Sequence, residues 1–319
     1  MRVVIADCPG PPRVLHPATR PDPEPTAGQL RVAVEAAAIT FVETLLRAGS
    51  AVVPPARFPV ILGNGVGGVV DRVGLGVDQA WLGTVVVTAT GGTGGYASRA
   101  LAAVDDVHRV PVRLGLREAT ALLADGRTAV GLHEAAAPSS GGTVLVTAAA
   151  GGVGGLLVQL AKASGARVIA LAGSSGKLDH ARSLGADATV NYRDPDWPTA
   201  LRTAAIGGID VVFDGVGADL TRNLFPLVAS GGRYVSHGAA GGSWGPLDDQ
   251  AAARRGVTLI GLSALGAASS FDLVERALDL AAQNVIRPTI GQTFALEQAA
   301  EAHAAIESRN TIGKTLLLP

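Results

Sequence analysis

The chain has 319 residues, enough at about 150 per domain for two domains with a core each. Hydrophobic residues make up 48% and charged residues 17%, and 26 Lys+Arg against 27 Asp+Glu leave a net charge of -1. That balance excludes the basic footprint of a nucleic-acid binder or an anionic-membrane binder, so small molecules are the expected partners.

Residues 1–10 read MRVVIADCPG, too short an apolar run for a secretory signal, and the single cysteine, Cys8, rules out an internal disulfide. A reduced, cytoplasmic setting is expected. Seven prolines between residues 9 and 25 predict a rigid edge segment between two strands rather than a proline-rich ligand. Next come the strand patterns Gln29 to Glu35, Gly68 to Val73 and Thr84 to Thr88, so the first hundred or so residues predict an all-β, barrel-like domain.

From Leu116 the pattern switches to helices alternating with apolar strands. Helices are predicted over 117–136, 153–163 and 177–184, and strands over 143–147, 167–171, 209–213, 233–236 and 257–262. Strands separated by helices predict a doubly wound parallel sheet, so the fold class is α/β. After Phe271 an amphipathic helix, a strand near 288–294, another helix and a terminal strand at 314–318 are expected to return to the β domain. Residues 135–161 carry no formal charge, but six glycines interrupt them, and they read as a buried strand and helix rather than a membrane span.

The sharpest motif is the run from Thr143 through Thr147, Ala148, Ala149, Ala150, Gly151, Gly152, Val153, Gly154 and Gly155 to Ala161. A buried strand enters a glycine-rich turn that opens a helix, which lets backbone amides approach a pyrophosphate. Gly151 and Gly152 are expected under the phosphates, and Gly154 and Gly155 where the helix packs on the sheet. NAD sites place a carboxylate about 20 residues after the first glycine. Here that place reads Gly173-Ser174-Ser175-Gly176-Lys177, with hydroxyls and a cation that suit the 2′-phosphate of NADP(H), although a serine there also serves as a helix cap.

These residues, with Gly63-Asn64-Gly65-Val66-Gly67-Gly68 upstream, Gly94-Gly95-Tyr96-Ala97, the segment 183–194 (SLGADATVNYRD) and Val211 to Gly217 downstream, resemble the zinc-independent quinone oxidoreductase branch (zeta-crystallin-like) of the medium-chain dehydrogenase/reductase superfamily. The resemblance runs from the first strand to Gly313-Lys314. It implies a GroES-like β-barrel substrate domain over 1–118 and 264–319, a Rossmann domain over 119–263, bound NADP(H) and a homodimer. It places Ala150, Val153, Tyr192, Val216, Leu262 and Lys314 at the cofactor, Thr128 near the nicotinamide, and Ser236-His237-Gly238 at the carboxamide, mainly through backbone.

The chain also departs from that family. Thr40 stands where relatives commonly have Asn, Gly65 where they have an acid, and Ser50 where some have Tyr. Zinc members carry Cys and His at positions matched here by Thr40 and Asn64, so no metal is expected. His16, His108, His133, His180 and His303 show no ligand spacing. Without a metal or a positioned acid, conjugate reduction of a quinone, enone or enal is favoured over reduction of a simple ketone, because the developing charge spreads onto a carbonyl oxygen. Thr40 and Tyr96 are the candidate donors, and Phe41, Asn64, Arg127 and Trp244 the candidate substrate-pocket residues, with Asp125 and Trp81 nearby in this reading. Two alternatives stay open: an enoyl-thioester reductase of fatty-acid or polyketide assembly, and a non-catalytic NADPH-binding sensor or structural protein.

Overall fold

The computed structural model describes residues 1–319, which divide into two compact units. The first comprises Met1–Ala124, Ala277–Ala282 and Pro288–Pro319, and the second Asp125–Arg276 and Gln283–Arg287. The return to the first unit therefore begins at Ala277 rather than at residue 264, and the forward boundary falls inside a helix at Ala124 rather than at residue 118.

In the first unit β1 (Arg2–Ala6) pairs antiparallel with β2 (Leu15–Thr19). Pro17 sits inside β2 at no cost in ladder bonds, because β2 has β1 as its one neighbour and its other edge is free. β3 (Gln29–Ile39) feeds helix α1 (Phe41–Ala48), which starts at Thr40 and stops at Gly49, whose φ of +70° favours glycine. β4 (Gly65–Val73), β5 (Val85–Ala89), β6 (Arg99–Ala103) and β7 (Val107–Arg109) complete the forward part.

α2 (Leu116–Ala136) leads into the second unit. There β8 (Thr143–Val146), α3 (Gly152–Ala163), β9 (Arg167–Ala172), α4 (Ser175–Ser183), β10 (Ala188–Asn191), α5 (Trp197–Ala204), β11 (Ile209–Asp214), α6 (Leu220–Leu224), β12 (Val228–Ser236), α7 (Asp249–Arg254) and β13 (Thr258–Ile260) follow in turn. The strand order β10-β9-β8-β11-β12-β13 is parallel throughout. This order reverses direction between β8 and β11, the switch point at which such sheets bind dinucleotides.

α8 (Ser270–Ala282), β14 (Ile290–Ala295), α9 (Ala299–Glu307) and β15 (Lys314–Leu318) close the chain, and β15 pairs antiparallel with β3. The first unit's sheet thus runs β14-β15-β3-β4-β5-β7, with β6 on β3. Its largest core packs Val4, Leu62, Val66, Tyr96, Leu296 and Leu317 together, whereas Leu145, Ile169, Leu171, Val212 and Tyr234 anchor the core of the second unit. No helix is long and apolar enough to cross a membrane.

Candidate functional site

The turn between β8 and α3 is tight. Ala148 takes a φ of +47°, and a Cβ on Gly154 would stand 2.3 Å from the Ala148 carbonyl oxygen, so only glycine lets the helix approach its own turn. Gly151 is the N-cap of α3 and offers no side-chain cap, which leaves the helix's first amide donors for an outside acceptor. Ala150 is buried beneath the turn, and Val153 is half-buried on the first helical turn. One carboxylate does intrude: a Cβ on Gly152 would fall 1.8 Å from Asp125 Oδ2, so Asp125 lies against the helix start.

At the end of β9 the chain offers no acid. Ser174 holds the N-cap position of α4, yet its hydroxyl makes no cap hydrogen bond, and Ser174 and Ser175 are both exposed. Gly173 is overlaid by two side chains from the segment after β10: its Cβ would stand 3.0 Å from Arg193 Nε and 3.0 Å from the Tyr192 hydroxyl. Lys177 is half-buried on α4. Arg193 is thus a cation at this corner that sequence reasoning passed over, although it stands in the quoted segment 183–194.

The ends of β11 and β12 are organised by Asp214, which is fully buried. Its carboxylate accepts from the hydroxyls of Thr147 at 2.9 Å, Thr221 at 2.9 Å and Tyr234 at 2.7 Å, and from the amides of Val216 and Gly217, each at 3.0 Å. Thr147 Oγ1 in turn accepts the Gly215 amide at 2.8 Å, so β8, β11 and β12 are tied together just below the switch point. Burial, with the Asp214 charge, pushes the Tyr234 hydroxyl far up, which keeps it a donor. The loop after β12 is laced to the loop after β11: His237 N–H donates to the Asp214 carbonyl at 2.9 Å and Gly241 N–H to the Val216 carbonyl at 2.7 Å. Ser236 and Gly238 flank His237, and all three are half-buried, as are Val216 and Thr128.

Trp244 is 47% exposed on that same loop, where the Ser243 carbonyl accepts the Ala218 amide at 3.0 Å. Arg127 donates to Ser270 Oγ at 2.9 Å, and its Nε is buried without a partner. Leu262 is 40% exposed beyond β13.

In the first unit three expectations need correction. Tyr96, expected as a candidate proton donor, is fully buried in the apolar core, its hydroxyl is 2.9 Å from His303 Nε2, and burial pushes its pKa well above the usual range. Thr40 is the cap of α1, and its hydroxyl donates to Glu43 Oε2 at 2.5 Å, so its proton is directed inward. Lys314 is not a free cofactor contact either, because its side chain is buried and its charge acts on the buried Glu43. Glu43, which sequence reasoning did not single out, gathers this corner, since Oε2 also accepts the Thr40 amide and Oε1 the Asn64 amide. Burial drives the Glu43 pKa up, while the Thr40 bonds, the Lys314 charge and the Asn64 amide pull it back. Asn64 itself is exposed, and its Oδ1 accepts from Gly92 N–H at 2.6 Å and Thr90 N–H at 3.3 Å, which closes a turn. Phe41 is half-buried at the first position of α1.

Two family models match the chain: an alcohol dehydrogenase GroES-like domain over residues 26–112 and a zinc-binding dehydrogenase over residues 184–317. A 2-haloacrylate reductase from Burkholderia sp. is 32% identical over 311 residues, covering 92% of this chain and 92% of that one. A probable quinone oxidoreductase from Schizosaccharomyces pombe is 34% identical over 315 residues, covering 97% and 94%. The crystal structure of Escherichia coli quinone oxidoreductase complexed with NADPH superimposes over 100% of both chains with a TM-score of 0.91 and 29% identity. The zinc named in the second model's description does not fit the donors present: Thr40 and Asn64 spend their oxygens on Glu43 and on the turn at Gly92, and no group of three or more His, Cys, Asp or Glu has metal-site spacing.

Proposed function

Because the chain belongs to the quinone oxidoreductase branch of the medium-chain dehydrogenase/reductase superfamily, we propose that it is an NADPH-dependent reductase of quinones and α,β-unsaturated carbonyl compounds. The observation that carries the cofactor choice is the end of β9, where no ribose-binding carboxylate follows, Ser174 and Lys177 stand next in sequence, and Tyr192 and Arg193 lie over Gly173. The uncapped start of α3 suits a pyrophosphate, and the partnerless Nε2 of His237 suits a ligand at the other end of the sheet.

NADPH, when bound, supplies the hydride. The protein's share is positioning: Arg193, Lys177 and Ser174 hold the 2′-phosphate, and the α3 amides hold the pyrophosphate. Asp214 fixes the two loops that the nicotinamide half would meet. The activities named for the relatives, quinone and 2-haloacrylate reduction, both add hydride to an electron-poor carbon system conjugated with a carbonyl group. No acid in the chain needs to protonate a simple alkoxide in such a reaction, and solvent can deliver the proton to the resulting enolate or hydroquinone monoanion.

The test is oxidation of NADPH and NADH by purified protein against a quinone, an aliphatic enal, a cyclic enone, 2-chloroacrylate and an enoyl thioester. We expect turnover with NADPH and at least about tenfold lower kcat/KM with NADH, the size of one lost charge-assisted contact. Preference for the thioester would favour an assembly-line enoyl reductase. Tight NADPH binding with no oxidation by any acceptor would favour a non-catalytic binder. The same reading expects a homodimer in a reduced, cytoplasmic setting. Light scattering that gives only monomer at micromolar concentration would remove the dimer.

A further inference from the structure

One carboxylate stands where the cofactor site otherwise offers donors. Asp125, the first residue of the second unit, is half-buried on α2 and points end-on at Gly152: a Cβ there would fall 1.8 Å from Oδ2, 2.9 Å from Cγ and 3.6 Å from the Asp125 Cβ. The order of these distances means that the charged oxygen, not the stem, meets the backbone. Glycine at 152 is what admits it, since any side chain there would drive the carboxylate away.

Gly152 is the first residue of α3, and the N-cap before it, Gly151, supplies no side-chain acceptor. The first amides of a helix carry a partial positive charge, so a carboxylate beside them is favourably placed in the free protein. The same amides are the donors that the turn between β8 and α3 presents to a pyrophosphate, which carries a negative charge on each of its phosphates. Two anions are then drawn to one helix start. Arg127 lies two positions along α2, a spacing at which helical side chains do not face each other, and its guanidinium donates to Ser270 Oγ at 2.9 Å. Lys177 on α4 and Arg193 over Gly173 stand beyond β9, at the other phosphate of the cofactor.

Resting on the NADP(H) reading above, we propose that Asp125 sets how tightly the dinucleotide is held: its carboxylate, seated against Gly152, repels the pyrophosphate and keeps NADP⁺ and NADPH quick to exchange. The pyrophosphate is common to both nicotinamide dinucleotides, so the effect falls on NAD⁺ as well as NADP⁺. It differs in this from a contact to the 2′-phosphate, which concerns NADP⁺ alone. Oxidised cofactor has to leave before the next NADPH enters, and a charge that loosens both forms shortens that step.

Asp125→Asn keeps the shape and removes the charge. Isothermal titration tests it without turnover, using NADP⁺, NAD⁺ and adenosine 2′-monophosphate, which carries the 2′-phosphate but no pyrophosphate. We expect the variant to bind NADP⁺ and NAD⁺ about three- to tenfold more tightly than wild type, the scale of one charge at a partly buried helix start, and adenosine 2′-monophosphate to change by less than about twofold. The gain should shrink as salt rises, and NADPH should dissociate more slowly by a similar factor in a displacement experiment. Asp125→Ala, which adds no donor, should behave alike, and it decides alone if the asparagine variant does not fold. Unchanged or weaker NADP⁺ binding would overturn the proposal, because the carboxylate would then be indifferent to the pyrophosphate or a support of the turn. Equal tightening of adenosine 2′-monophosphate would overturn it as well, and so would a gain confined to the asparagine variant, which would belong to the new amide donor. Failure of wild-type protein to bind either NADP⁺ or adenosine 2′-monophosphate would instead bring down the NADP(H) reading, and this inference with it.

Discussion

The Tyr234 hydroxyl donates to the Asp214 carboxylate at 2.7 Å, inside a core where Asp214 and Tyr234 are both fully buried. Asp214 draws the remaining donors from β8, from its own loop and from Thr221 on α6, so one carboxylate sets the height of three chain segments under the switch point. Tyr234→Phe removes one of five donors and leaves the charge with four. A hydrogen bond to a charged group is worth about 1.5–3 kcal/mol, and the loss in urea denaturation should fall in that range with NADP⁺ affinity nearly unchanged. Asp214→Asn should cost more and also weaken NADP⁺, because an amide nitrogen would confront donors and loosen the 215–217 loop. Equal stability of the two variants would mean that Asp214 is not the organiser.

Arg193 over Gly173 gives a selectivity prediction. Arg193→Ala should weaken NADP⁺ about tenfold and leave NAD⁺ within about twofold, since the removed charge addresses only the 2′-phosphate. Arg193 is exposed, so the difference should shrink as salt rises. Binding titrations at low and high salt with both nucleotides read this directly. A uniform loss for both nucleotides would place Arg193 elsewhere in function.

Glu43 and Lys314 are both buried and the Lys314 charge acts on Glu43, so their variants should not add. Glu43→Gln keeps the shape but takes the countercharge from a Lys314 that is only 4% exposed, at a cost of about 3–5 kcal/mol. Adding Lys314→Met should return a large part of that loss, whereas Lys314→Met alone should be costly. Thr40→Val removes only the hydroxyl bond to Glu43, and about 1 kcal/mol is expected, the usual value of a cap. A double-mutant cycle from denaturation midpoints checks the coupling, and additivity within about 0.5 kcal/mol would show that the two charges do not interact.

Much of this architecture could be read from the chain because its signals are local. The strand, glycine turn and helix from Thr143 to Ala163, and the lack of an acid after β9, are written in consecutive residues. Helix α1 was also announced, by Thr40 followed three positions later by Glu43, but weighing Thr40 as a donor to substrate hid its role as a cap. The first hairpin escaped because Pro17 argues against a strand until it is known that β2 has only one neighbour. Tyr96 follows two glycines and reads as a loop residue. The core that buries it reaches to Leu317, and its hydroxyl partner, His303, is 207 positions away, a distance at which no local pattern carries a partner. The same holds for Asp214, whose role lies in donors that the fold collects from residues 147 to 234.

That long-range pairing of Tyr96 with His303 also sets how stability depends on pH. His303 is fully buried, and burial, reinforced by the Arg47 charge, pushes its pKa down to about 3; His237 is pushed down to about 4. In the unfolded chain both return to about 6.5. Between these limits the unfolded chain binds more protons than the folded one, so stability rises with pH across the window and is lost as pH falls. The contribution is complete above about pH 6.5, declines between 6.5 and 5, where few ordinary carboxylates titrate, and is gone below the folded values. Each histidine adds at most about 1.4 kcal/mol per pH unit to the slope. His303→Phe should therefore lower the starting stability, because Tyr96 loses its hydroxyl partner, and flatten the slope between pH 6 and 5 by about 1 kcal/mol per unit. Urea denaturation at pH 7, 6 and 5 measures both quantities. An unchanged slope in the variant would mean that His303 is already protonated in the folded protein, which its apolar surroundings and the neighbouring Arg47 guanidinium both oppose.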